Sequence, residues 1–261
     1  MICDWLPICA RRSKLRAFPP PMIRLSLLAF ASVLAGLCPR AGAQTPAPAA
    51  PPVREISPGI YEVGVMRLDQ KARTLTVPAH LNMNEGPLEY LMTTQHGSSH
   101  ESLLVSDIQP TEMHVAMLLL GAKGMPAPAD GKLPPPQIDL QYLKTAPKLG
   151  GESISIEVRW KQGEETKSAP VEDWIFNSQT NAPMERGPWT YNGSMMNDGH
   201  FLAQVEGAFA ALVIYPSALI NNPRKGDDND QIWSVNEKAV PALNTPVDLV
   251  VTILPNSKPN P

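Results

Sequence analysis

Two short segments carry most of the side chains able to form a ligand set. His96-Gly97-Ser98-Ser99-His100-Glu101 places two imidazoles four residues apart, with a carboxylate beside the second. Imidazole nitrogen and carboxylate oxygen together suit zinc or a similar divalent ion, so His96, His100 and Glu101 are candidate metal ligands. The spacing is not the H-E-x-x-H of a zinc helix, and Gly97-Ser98-Ser99 reads as a turn. The competing reading is a polar turn whose His100 or Glu101 bonds loop backbone. The second segment is Gly226-Asp227-Asp228-Asn229-Asp230. Dense acidic oxygens suit calcium. An EF-hand loop begun at Asp228 would place Ile232 fifth and Ala239 twelfth, so the match fails as a motif. Asp227, Asp228 and Asp230 remain candidates for an irregular calcium site. Against it stand a solvated loop neutralised by Arg224 and Lys225, and a turn that orients Trp233 toward the core.

Three weaker sets complete the chemistry. Asn221-Asn222-Pro223 offers paired amides, which cap and turn a chain or hydrogen-bond a sugar or peptide. Trp174, Trp189 and Trp233 would supply a stacking face for such a ligand, although tryptophans are more often mainly buried. That makes Asn221, Asn222 and Trp233, with His100 and Glu101, candidate ligand-binding residues. Met195-Met196 near His200 resembles copper ligation, but the other methionines are scattered, and Met113 and Met117 are spaced for a helix core. Glu89, Glu101, Asp173 and Glu206 are carboxylates that a fold can bring together as an acid–base pair. Glu206 lies between two apolar runs, and burial there would raise its pKa unless it is paired. G-x-S-x-G, a phosphate loop and G-x-G-x-x-G are all missing, so an enzyme is the less favoured reading.

The elements that must position these residues are mostly strands. Ile60–Leu68 alternates as one strand, Asp69–Ala72 turns the chain, and Thr74–Val77 begins the partner of a hairpin. Leu88–Thr94 and Ser102–Val105 are short apolar runs. Ser153–Trp160 alternates cleanly, with Ile154, Ile156, Val158 and Trp160 on one face, and Gln162–Glu165 turns out of it. Phe201–Val205, Phe209–Tyr215 and Val247–Leu254 complete the strands. One helix is predicted over about 110–121: Asp107 is placed to cap it, Pro110 and Glu112 sit in its first turn, and Gly121 closes it. Its apolar stripe is Met113, Ala116, Met117 and Leu120. A shorter helical turn fits Ser217–Asn221. Between Gly124 and Gln137 five prolines forbid regular structure and define a long loop. The fold class is α+β and β-rich, mainly antiparallel, with that one principal helix.

The chain has 261 residues, and its ends read differently from its middle. Arg24, the apolar run Leu25–Leu37 and Ala41-Gly42-Ala43 form a secretory signal peptide over residues 1–43, with Met22 as an alternative start. Leu37 stands where a lipobox requires a small residue, which argues against lipidation at Cys38. Residues 44–53 are a Pro/Ala-rich linker, 54–254 one globular domain, and 255–261 a polar, proline-broken disordered tail. Cleavage after Ala43 removes Cys3, Cys9 and Cys38 and shifts the net charge from −3 to −8. The mature chain then has no thiol chemistry. It also lacks the basic footprint of a nucleic-acid binder and carries no transmembrane segment.

Several phrases recur together. His100-Glu101-Ser102-Leu103-Leu104 precedes a helix ending Leu118-Leu119-Leu120-Gly121-Ala122, and Gly187-Pro188-Trp189 is followed by Gly193-Ser194. Glu206-Gly207 leads into Ala218-Leu219-Ile220-Asn221-Asn222-Pro223, and the aspartate run precedes Trp233. In this order the phrases resemble the YdjY-domain family of exported bacterial proteins, over about residues 60–254. The resemblance implies the domain limits and export, and it brings no assigned activity or ligand. Ferredoxin-like labels attached to some members do not carry over, because iron–sulfur ligation needs cysteines that the mature chain lacks. The sequence reading is therefore an exported, periplasmic or extracellular, non-catalytic binding module. Its partner is a small polar ligand, a glycan or a protein, and no cofactor is assigned. The alternative is a protein of calcium or zinc, with hydrolysis as its chemistry, using His96–Glu101 and Asp227–Asp230.

Overall fold

In a computed structural model, residues 52–125 and 149–255 are described; the leader, nearly all of the linker, most of the proline-rich loop and the tail lie outside them. In chain order the first elements are β1 (Val53–Ser57), β2 (Ile60–Val63), β3 (Met66–Asp69), β4 (Thr74–Leu81), β5 (Tyr90–Thr94), β6 (Ser102–Ser106) and α1 (Pro110–Leu119). After the gap come β7 (Glu152–Gln162), β8 (Glu165–Pro170), β9 (Ile175–Asn177), β10 (Ala182–Pro183), β11 (Trp189–Tyr191), β12 (Met196–Asn197) and β13 (His200–Phe201). The last are α2 (Leu202–Glu206), β14 (Ala208–Ala211), β15 (Ile220–Asn221), β16 (Trp233–Val235) and β17 (Pro246–Ile253). Among the described residues no helix is long and apolar enough to cross a membrane.

Eight strands close into a barrel in the order β4-β17-β7-β11-β15-β14-β5-β6, with β6 returning to β4. Closure removes the free edges that an open sheet would leave. The long ladders are those read from alternation. In β17, Val247, Leu249 and Val251 are buried and pair on one side with β4 and on the other with Trp160, Val158 and Ile156 of β7. β1, β2 and β3 extend the sheet outward from β4, and β8 pairs with β7.

The sheet is mixed, which corrects the mainly antiparallel expectation. β5 runs parallel to β6, Tyr90 opposite Ser102, and β14 runs parallel to β15, Ala210 opposite Ile220. Parallel pairs usually need a crossover of about a dozen residues, so connections as short as 95–101 and 212–219 read as hairpins. Here the strands are short enough for such connections to return along them. Three other expectations change. Gly64, with φ +60°, splits the run 60–68 into β2 and β3 around a tight turn that leaves Val65 exposed. Phe201–Val205 is mostly α2, closed by Gly207 in the left-handed conformation, and not a strand. Ser217–Asn221 ends in β15 and not in a helical turn.

α1 ends at Leu119, near the expected limit, and buries Met113, Ala116 and Met117 in the core shared with the barrel. Its cap is not Asp107. Gln109 is the N-cap, and its side chain and that of Glu112 form a reciprocal capping box. β4 carries an interior proline because its outer edge changes partner there. β3 pairs with Thr74–Thr76 and β6 with His80 and Leu81. Pro78 lies in the gap, has no N–H to leave unpaired, and its carbonyl accepts the Ser106 hydroxyl at 2.6 Å.

Candidate functional site

The two chemistry-bearing segments meet at Glu89. This residue immediately precedes β5, where its backbone N–H donates to the Glu101 carbonyl (2.9 Å) and its own carbonyl accepts from Leu212 (2.8 Å). Its neighbour Leu88 donates to the Trp233 carbonyl at 3.0 Å, which brings the end of the acidic loop alongside. The Tyr215 hydroxyl donates to the Glu89 carboxylate at 2.9 Å. Burial raises the Glu89 pKa above the usual carboxylate range; the charges of Glu101 and Asp230 add to the rise, while the Tyr215 hydrogen bond and His100 oppose it.

Behind Glu89 lies a small apolar cluster separate from the main core. Tyr90 stacks on Tyr215 with ring centroids 5.2 Å apart and planes 9° from parallel. Ala208, Ala211 and Ala218 form the floor under the pair. Burial raises both tyrosine pKa values, and negative charge nearby adds to it: Glu206 and Glu89 act on Tyr90, Glu89 on Tyr215. Glu206 is the second carboxylate whose pKa burial raises, opposed by the Ser217 hydroxyl that donates to it at 2.5 Å. It reaches this place because two glycine turns nest together. The Thr94 N–H donates to the Gly207 carbonyl at 2.7 Å, and a Cβ on Gly97 would stand 2.9 Å from the Glu206 carbonyl. The histidine turn therefore packs on the end of α2 without room for a side chain at residue 97.

The candidate residues divide into contact and frame. His100 is exposed, Glu101 half-buried, and they approach each other at 3.7 Å. His96 is exposed on the same turn. Asp228 and Asp230 line a cleft of about 580 Å³ with Gln179, Lys225 and Asn229. Asp230 belongs both to that cleft and to the surroundings of Glu89. Asp227 is nearly buried, and its carbonyl accepts from Ile214 at 2.8 Å. Asn221 and Asn222 are 2% and 1% exposed and bond inward. The Asn221 amide bridges Tyr215 backbone and Asn192, and that of Asn222 donates to the Leu212 carbonyl at 2.9 Å. Trp233 is 2% exposed, and its indole donates to the Gly226 carbonyl at 3.1 Å. These three therefore hold the frame and offer no surface to a ligand. Trp174 and Trp189 are buried as well.

Arg224 is held inside the fold. Its guanidinium turns inward to the Glu172 carboxylate (2.6 Å) and lies 5.0 Å over the Trp189 ring, while the Trp189 indole donates to the same Glu172 oxygen. Asp173 is engaged by Arg186, and Met195 is buried while Met196 is exposed. Among the described residues no group of three or more His, Cys, Asp and Glu side chains converges to hold a metal ion. Sequence reasoning named Glu89, Glu101 and Glu206 as carboxylates able to meet but missed the two tyrosines. Their signal was slight, since Tyr90 and Tyr215 read as ordinary strand residues.

Fold and site together define a closed, mixed β-barrel with one principal helix and a carboxylate–tyrosine face around Glu89. The model of a family described as the YdjY domain matches residues 66–252. The chain belongs to the YdjY-domain family. No curated protein and no solved structure matches it.

Proposed function

We propose that this chain is an exported, non-catalytic binding module whose contact face surrounds Glu89. One observation carries the proposal: four separate segments bring Glu101 with His100, Asp230, Tyr215 and Glu206 to one half-buried carboxylate and one aromatic pair. A half-exposed tyrosine ring beside fixed carboxylates offers an apolar face and directional acceptors together, which is what a glycan or a polar side chain requires. Export rests on the leader-like residues 22–43. The test is a binding screen of the whole chain against neutral oligosaccharides and polar peptides, repeated with Glu89→Gln and Tyr215→Phe. The expected result is a ligand whose affinity falls in both variants while their melting temperatures hold. A set of ligands indifferent to both substitutions would move the contact face elsewhere.

The alternative is a divalent-metal protein using the His96–Glu101 and Asp227–Asp230 segments, although among the described residues their side chains do not converge as a ligand group. Elemental mass spectrometry on untagged protein decides it. About one equivalent of calcium or zinc, with a lower melting temperature after chelation, would favour the metal. No bound metal and no effect of a chelator would remove that reading.

A further inference from the structure

The outer edge of β4 leaves a second concave surface, away from any motif the sequence offered. Where β3 ends and β6 begins, a cleft of about 510 Å³ opens between the β2–β3 turn, Pro78 and the start of α1. That volume lies within the usual range for small-molecule sites, about 300–1,000 Å³. Pro78 leaves no unpaired backbone group in the gap, because it brings no N–H and its carbonyl is already bonded to Ser106.

The lining has an apolar body and an acidic end. Val65, Pro78 and Ile108 supply apolar wall, and His80, Asp107 and Glu112 supply the polar groups. Among the described residues no lysine or arginine lines the cleft. The acids differ in what they already do. One Glu112 oxygen accepts the Gln109 N–H at 3.0 Å as half of the capping box. Asp107 stands outside that box, and its exposed carboxylate makes no hydrogen bond or ion pair among the described residues. Asp107 and Glu112 give the lining a negative charge that complements a cationic ligand. Val65, 74% exposed at the turn, is the apolar surface that such a ligand would cover.

We infer that this cleft binds a small organic amine, its ammonium group paired with Asp107 and its apolar body laid against Val65, Pro78 and Ile108. Asp107 sets the charge preference and the wall contributes desolvation. This site is independent of the Glu89 face and stands or falls separately.

The test is an amide NMR titration of the whole chain with phenethylamine, with phenethyl alcohol as the uncharged probe of the same shape. Saturable shifts are expected at Val65, Ala79 and Ile108, with weaker binding of the alcohol. Asp107→Asn is expected to weaken the amine about three- to tenfold, leave the alcohol unchanged, and leave the melting temperature as it was, since Asp107 caps nothing. Absence of saturable shifts, shifts centred on other residues, equal binding of alcohol and amine, or an amine affinity unmoved by Asp107→Asn would each overturn the inference.

Discussion

At the residue scale, the interior holds two polar devices with different consequences. Glu172 and Arg224 form a buried ion pair whose remaining valences go to Trp189, Asn222 and the carbonyls of Glu185 and Gly187. Removing one partner strands the other charge, so Glu172→Ala should cost about 3–5 kcal/mol in denaturant unfolding. Replacing both by apolar residues should cost much less. His114 on α1 meets the Tyr191 hydroxyl at 2.8 Å and packs on Phe201. Burial lowers its pKa below the ordinary 6.5. The unfolded chain therefore takes up a proton that the folded chain resists. This contribution to stability is present above about pH 6.5 and is lost as pH falls through the folded value. The melting temperature should drop between pH 7 and 5 by less in His114→Gln than in the parent chain; equal drops would show that His114 is not the group responsible. Neither device was legible in the sequence. Glu172 and Arg224 are far apart along the chain, and nothing in their neighbours marks them as partners.

At the element scale, what could be read was what repeats. β7 and β17 alternate over many residues against a buried face, and α1 shows an apolar stripe, so their positions follow from local pattern alone. Elements of two to five residues carry no such period. α2 looks like a strand in sequence because Phe201, Leu202 and Val205 are apolar, and its helical state depends on Gly207 and on the turn it packs against. A Cβ at Gly207 would approach the Thr94 hydroxyl at 2.2 Å, and φ there is +66°. Gly207→Ala should lower stability by about 1–3 kcal/mol, read as a shift in denaturant midpoint without a change in slope. The same substitution should disturb the Glu89 face, because Glu206 and the histidine turn lose their common seat.

At the scale of the whole molecule, closure depends on pairs that no local pattern announces. β6 meets β4 through only two residue pairs, His80–Val105 and Leu81–Leu104, while β17 meets β4 through seven. Amide exchange should therefore open the β4–β6 seam before the β4–β17 ladder; the reverse order would contradict the barrel. The candidate site was half legible for the same reason. The acids and histidines stand out in sequence, but their meeting around Glu89 is the work of a parallel β5–β6 pair and a closed sheet. That meeting is the central claim, and the pKa of Glu89, followed by carboxyl carbon NMR, tests it most directly. Burial raises the value above the ordinary carboxylate range, and the expected mark of the meeting is that it moves down in Glu101→Gln and Asp230→Asn. A value that ignores both substitutions would contradict the meeting of the histidine turn and the acidic loop at Glu89.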